Sequence, residues 1–455
     1  MERAISNHQE AIKLTPNNHA DLPKWLNNLG IAYQNRFEEA GQLSDLTQAI
    51  YNQEKAIQLT SESYTFLPRW LIHLGNSYKN QFERSGSLVD LEKAIDYQKH
   101  AIKLTPKGSA NLPLWMLNIG ILYQQHFLYN GDQTAFNAAM SDFQYAATLH
   151  TGSLTACLLA ATLWSQLSKS HSNLISPSQL LQSHECVIHL LSLIAGLEKT
   201  LQQRFKSLAQ FSQLALAAAA AAISIDQTHK ALEWIEQGRC IVWSQINQLR
   251  SPIEFLYTHY PSLSDHLSSL STALENAESQ DQNPYIIDRD SLDNKILWEK
   301  KAQYYLKISQ ERKELLSTIR SKSGFHDFLQ PKQCFELLNE LPNNSLVIII
   351  VAHPDSCDAL ALLSQAEKPI HIPLPNFSYT QATKIAKNIH GYLNQQNVRM
   401  RYSSADFCGA RPSNISSSDQ SESILSILLS DVWKNPVKPI LDSLAFLVSI
   451  NYIVI

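Results

Sequence analysis

The 455-residue chain carries 41 acidic against 37 basic residues, a net charge of −4, so no nucleic-acid or anionic-membrane partner is expected. Six cysteines are scattered without C-x-x-C spacing, which argues against a disulfide framework or zinc site and for reduced thiols in an intracellular protein. No signal peptide precedes the first helical pattern, and the longest apolar runs are about 12 residues, too short to span a bilayer, so a soluble cytoplasmic protein is expected.

In chain order, residues 1–15 read as half of a unit. Ala4, Ile5, Ala11, Ile12 and Leu14 return as Ala49, Ile50, Ala56, Ile57 and Leu59, and again as Ala94, Ile95, Ala101, Ile102 and Leu104. Between these stretches lies a first half that is also written three times. Trp25, Leu29, Gly30, Tyr33, Phe37 and Gly41 recur 45 residues on at Trp70, Leu74, Gly75, Tyr78, Phe82 and Gly86. A third copy gives Trp115, Ile119, Gly120, Tyr123, Phe127 and Gly131. A fixed period of this size marks a stacked array. Each unit reads as two helices. Pro23, Pro68 and Pro113 suit a first helical turn, Asp21 and Asn111 are candidate caps, and the glycines at 41, 86 and 131 break the chain. Gly30, Gly75 and Gly120 fall inside the first helix, where glycine costs about 1 kcal/mol against alanine; close approach of the partner helix is the expected compensation. Because the chain opens on a second helix with an apolar stripe, a fragment or truncated product is expected, with a self-sufficient cap as the alternative.

From 156 to 248 the helices continue without the 45-residue beat, over Leu158–Leu167, Leu180–Leu197 and Arg204–Ile225. Asp281–Pro284 is a polar break, and Ile296–Ile319 is a charged amphipathic helix closed by Gly324. After Pro331 the pattern changes. Ser345–Ala352 is a β-branched run that reads as a buried strand, followed by strands at Asp358–Leu363 and Lys368–Leu374. Tyr379–Leu393 reads as helix, 402–422 as a Ser-rich loop, Ile424–Leu444 as helix containing Pro436 and Pro439, and 446–455 as the beginning of a strand. The domains expected are 1–150 repeats, 151–250 further helical hairpins, 251–330 a helical linker and 331–455 an incomplete α/β domain.

The repeat resembles the tetratricopeptide repeat in its G-x-x-Y (Gly30/Tyr33), its Ala49 and Ala56, and the proline after the second helix (Pro16, Pro106). It departs in a tryptophan one residue early and in a period of 45 rather than about 34. Two further segments, taken in order, resemble a fungal group that joins such repeats to a CHAT domain. One is Ala231–Arg250, with Ala-Leu-Glu-Trp-Ile-Glu-Gln-Gly-Arg, Trp243-Ser-Gln and Gln248-Leu-Arg. The other runs from Gly324-Phe-His-Asp-Phe-Leu through the 347–351 strand to Cys357-Asp-Ala-Leu, His371-Ile-Pro-Leu-Pro and Trp433–Leu444. The resemblance implies a mainly α fold: a tetratricopeptide-like solenoid followed by a partial α/β, caspase-like (CHAT) domain.

CHAT domains are similar to caspase-type cysteine proteases, whose His and Cys lie downstream of the segment matched here, so no catalytic residue is transferred. Cys357 beside His353, and His390-Gly391 on a helical pattern, are expected to be structural. His184 and His189 are five apart, whereas a helix-borne zinc pair needs four, so no metal site is expected. No glycine-rich phosphate loop and no cofactor are expected. What the repeat resemblance implies is a groove lined by the first helices: Lys24, Asn27, Gln34 and Asn35, then Arg69, Asn76, Lys79 and Asn80, then Gln124 and Gln125. Their amides and ammonium groups suit a peptide backbone or carboxylate. The expected function is a non-catalytic, protein-binding scaffold. The alternative is a fragment of a caspase-like protease whose catalytic pair lies beyond residue 455.

Overall fold

A computed structural model describes residues 2–149, 152–196, 203, 204, 206, 208, 211–250, 253–280, 292–343, 345–364, 366–395, 426, 427, 429–445 and 452–454. The polar break at 281–284, the loop at 402–422 and Cys408 lie outside the described residues. The chain divides into two compact units, Met1–Leu190 and Leu191–Ile455.

The first unit is a run of paired helices: α1 (Glu2–Leu14), α2 (Leu22–Ala40), α3 (Leu43–Gln58), α4 (Leu67–Ser85), α5 (Leu88–Lys103), α6 (Leu112–Asn130), α7 (Gln133–Thr148) and α8 (Leu154–Ser170). Each packs on the next in sequence. Gly41, Gly86 and Gly131 end α2, α4 and α6 at φ of 70°, 69° and 73°, a left-handed geometry that glycine adopts without a Cβ clash. Their N–H groups donate to Phe37, Phe82 and Phe127 oxygens at 2.7–2.8 Å. Asp21 and Asn111 do not cap. Both sit in right-handed helical geometry and make no side-chain cap bond, because the preceding turn already carries the chain into the helix. Side-chain caps form later in the chain, among them at Asp132, which accepts from the Thr134 N–H, and at Ser153, which accepts from the Ala156 N–H.

The packing follows the repeat. Ala49, Ala56, Ala94, Ala101, Ala139 and Ala146 are all fully buried. One cluster runs from Phe37, Leu46 and Ile50 through Leu74, Tyr78 and Phe82 to Leu91, Ile95 and Leu122, so three consecutive pairs share one apolar core. Helix α9 (Pro177–Ile194) follows α8 and crosses the division between the units.

The second unit joins helices to a small sheet. Its helices are α10 (Ser212–Ser224), α11 (Thr228–Arg250), α12 (Glu254–His259), α13 (Pro261–Gln280), α14 (Leu292–Arg320) and α15 (Cys334–Asn339). Strands β1 (Ser345–Ala352), β2 (Cys357–Leu363), β3 (Ile370–Pro373) and β4 (Tyr452–Val454) are ordered β3-β2-β1-β4. β1 pairs antiparallel with β2 and parallel with β4, and β2 pairs antiparallel with β3.

Because 331–455 reads as an incomplete domain, an uncovered sheet edge or face is expected from the sequence; the structure covers the faces, while the second edge of β1 is paired only in part. β4 lines the second edge of β1 over Ser345–Val347. α16 (Tyr379–Gln395) and α17 (Lys438–Ala445) place Tyr379, Ala382, Ile385, Ile440 and Leu444 against Leu346, Ala359, Ala361 and Ile372 on one face. The residues of the opposite face, Val351, Leu360 and Leu362, are buried, and α10 contacts β1. The cover therefore comes partly from a helix more than a hundred residues upstream. Ile350 alone of the β1 aliphatics stays more than a third exposed, at 38%. Before α17, Pro436 lacks the N–H an α-helix needs, and the chain widens into a π turn over Trp433–Val437. No helix among the described residues is long and apolar enough to cross a membrane.

Candidate functional site

The repeated helix pairs meet where their glycines leave room. A Cβ on Gly30 would stand 2.6 Å from Gln53 Cγ, one on Gly75 2.8 Å from Gln98 Cγ, and one on Gly120 2.7 Å from the Phe143 ring. Those three partners hold one repeat position. In the first pair Gln53 enters the gap and its Nε2 reaches Gln34 Oε1 at 3.5 Å. The buried Ser77 hydroxyl donates to Gln53 Oε1 at 2.8 Å and also lies 3.2 Å from Gln34 Oε1, tying α2, α3 and α4 together. In the second pair Gln98 Nε2 donates to Asn76 Oδ1 at 3.0 Å, but Leu122 takes the repeat position of Ser77, and Gln98 Oε1 is buried without a partner among the described residues. In the third pair Phe143 fills the gap with apolar surface alone.

The ten groove residues divide by exposure. Lys24, Asn35 and Arg69 are exposed; Asn76, Lys79, Asn80, Gln124 and Gln125 are half-buried; Asn27 and Gln34 are buried. Lys24 stands 5.6 Å over the Trp25 ring. Glu83 gathers two others, pairing with Lys79 at 3.4 Å and accepting from Gln125 Nε2 at 3.2 Å. Asn80 Nδ2 and Gln125 Oε1 make no hydrogen bond among the described residues. Behind this row, burial with Arg69 nearby pushes the His73 imidazole down to about 4, so it is neutral at pH 7 and adds no charge.

A second feature lies where α5, α6 and the start of α7 meet. A cavity of about 290 Å³ is lined there by Glu92, Asp96 and Lys99 from α5, Tyr123 and His126 from α6, and Asp132 and Thr134 at the turn into α7. Lys99 Nζ stands 5.2 Å over the Tyr123 ring. His126 Nδ1 lies 3.7 Å from Asp132, whose carboxyl is held below its ordinary range by hydrogen bonds from Thr134. Sequence reading along one helix face misses this group, because it combines both helices of one pair with a helix of another. Aligning the three repeats position by position is the signal that finds it.

In the second unit Cys357 lies in the apolar cluster beneath α16 and α17, and burial pushes its thiol up, away from the thiolate a nucleophile needs. His353 Nδ1 accepts from the Asp355 N–H at 3.3 Å. His390 and Gly391 lie within α16. Asp358 joins Ser356 and His371, with Ser356 Oγ at 2.7 Å and His371 Nε2 at 2.7 Å. Glu233 of α11 accepts from the Cys334 N–H at 3.0 Å and from Lys230 at 3.0 Å, while Gly238 passes close to Ala215. The Ala231–Arg239 segment thus fastens α15 and α10 to α11. No group of His, Cys, Asp or Glu among the described residues is arranged to hold a metal.

These features define a mainly helical protein with a small sheet in its second half. No protein-family profile matches the chain, and no curated protein is similar to it. Among solved structures it is similar to BtubC (BKLC) from P. vanneervenii, at 14% identity and a TM-score of 0.34, over 53% of this chain and 87% of that one.

Proposed function

We propose that the chain is a helical-repeat scaffold of tetratricopeptide-like type that binds a protein or peptide partner, carrying a CHAT-like α/β domain without catalytic function. The observation that supports this most is the threefold register itself. Three first helices repeat one packing scheme, and the row they present keeps Lys24, Asn35 and Arg69 exposed and Asn76, Lys79, Asn80, Gln124 and Gln125 partly exposed. Such a row offers amide donors and acceptors for an extended backbone and cations for a carboxylate. The burial of Cys357 supports a structural thiol in the second half. A cytoplasmic, fungal-type setting belongs to the same reading.

The test is selection from a peptide library on the full chain, repeated with Lys79→Ala and Asn80→Ala together. A consensus that the parent retains and the double variant loses, at unchanged melting temperature, is the expected result. Retention unaffected by the variant contradicts the groove.

A further inference from the structure

The first unit builds one junction three times, from the second helix of one pair and both helices of the next. At the first junction Arg36 fills the space. Its Nη1 donates to Glu2 at 2.6 Å, its Nε and Nη2 donate to Asp45 at 2.8 and 2.6 Å, and its guanidinium lies 5.4 Å from the Tyr33 ring centre. These bonds, that to Asp45 foremost, hold Arg36 above its ordinary range. At the second junction Gln81 takes the arginine's position, and the Tyr78 hydroxyl donates to Glu54 at 2.5 Å.

At the third junction the surroundings return without the arginine, and Lys99 Nζ stands 5.2 Å over the Tyr123 ring instead. Tyr123 repeats Tyr33 and Glu92 repeats Glu2, while His126 replaces Arg36 and Ala135 replaces Asp45. Asp132, three residues before Ala135, supplies a carboxylate 3.7 Å from His126 Nδ1, and the cavity of about 290 Å³ is lined by these groups. Imidazole is shorter than the arginine side chain and does not span the two acids.

We propose that this cavity is a seat for one guanidinium group, an arginine side chain of a protein partner entering between Glu92 and Asp132 as Arg36 does between Glu2 and Asp45. The planar fork of a guanidinium offers five donors in fixed directions and pairs with carboxylates bidentately, a geometry that a compact ammonium does not supply. Asp96 adds a third carboxylate. Lys99 already covers the Tyr123 ring, so it is the carboxylates and not the ring that take the guanidinium. The site uses none of the groove residues. It rests on the scaffold reading only for the source of the arginine, and either can fail alone.

The experiment is ligand-observed saturation-transfer NMR on the full chain, with acetyl-Gly-Arg-Gly-amide and its citrulline and lysine counterparts. The arginine peptide is expected to bind, with citrulline and lysine weaker by roughly tenfold or more. Glu92→Gln is expected to weaken arginine binding by a similar factor. His126→Arg is expected to abolish it by filling the seat from within, and to raise the melting temperature. Should His126→Arg fail to fold, Glu92→Gln decides. Equal binding of the citrulline or lysine peptide, unchanged binding to Glu92→Gln, or no binding of the arginine peptide overturns the proposal.

Discussion

The repeat array and the α/β unit solve the same packing problem over different distances along the chain. In the array each contact recurs at a fixed step: Gly30 meets Gln53, Gly75 meets Gln98 and Gly120 meets Phe143. In the α/β unit the contacts are singular and distant. Glu233 holds the Cys334 N–H 101 residues away, and Lys368 reaches Asp226 at 3.4 Å across 142 residues. A repeated contact can vary in chemistry while its geometry is kept, as glutamine, glutamine and phenylalanine do in turn. A singular one has no second copy to support it.

The largest expected effect is in the array. Gly75→Leu drives a side chain into Gln98 and towards the Ala94 carbonyl oxygen, 3.2 Å from the new Cβ, and is expected to destabilise by about 3 kcal/mol in denaturant melts. A neutral result removes the packing role of the helix-interior glycines. Glu233→Ala tests the other region. It leaves the Cys334 N–H without its acceptor, and about 2 kcal/mol should be lost, with Glu233→Gln recovering much of it. If alanine and glutamine behave alike, the fastening is not by this hydrogen bond.

Smaller effects sharpen the contrast between successive pairs. Ser77→Ala breaks the bridge among α2, α3 and α4 and should cost about 1 kcal/mol, measured against the same change at an exposed serine. Asp142 of α7 gives a pH signature. Burial pushes its carboxyl up to about 6, with Lys99 opposing. The folded chain therefore keeps a proton that the unfolded chain loses, and stability falls as pH rises from the ordinary carboxyl range through 6. Asp142→Asn should melt higher than the parent at neutral pH and equal to it in acid. His73, lowered to about 4, works in the opposite sense, so the informative quantity is the difference between variant and parent.

The fold was legible wherever one residue type carried one local instruction. The glycines at 41, 86 and 131 mark the helix ends, and the β-branched run at Ser345–Ala352 has the bounds of β1. Asp21 and Asn111 misled because residue type alone does not show that the preceding turn is already helical. The uncovered sheet face misled for a related reason: α10 contacts β1 from far upstream, and no local pattern announces it. Among the groove positions, Asn27 and Gln34 turn inward because neighbouring helices close over them, a consequence of packing rather than of helical register. The cavity beside His126 depends on aligned repeats that differ at Arg36/His126, Asp45/Ala135 and Gln42/Asp132, which no single stretch displays.

The most direct test of a binding rather than cleaving protein reads both outcomes from one incubation. A peptide library is presented to the full chain before and after thiol alkylation, and retention and cleavage are scored together. The scaffold account predicts a retained peptide family, unchanged by alkylation, with no cleavage products. Cleavage abolished by the alkylator, and lost also in Cys357→Ala, would contradict it.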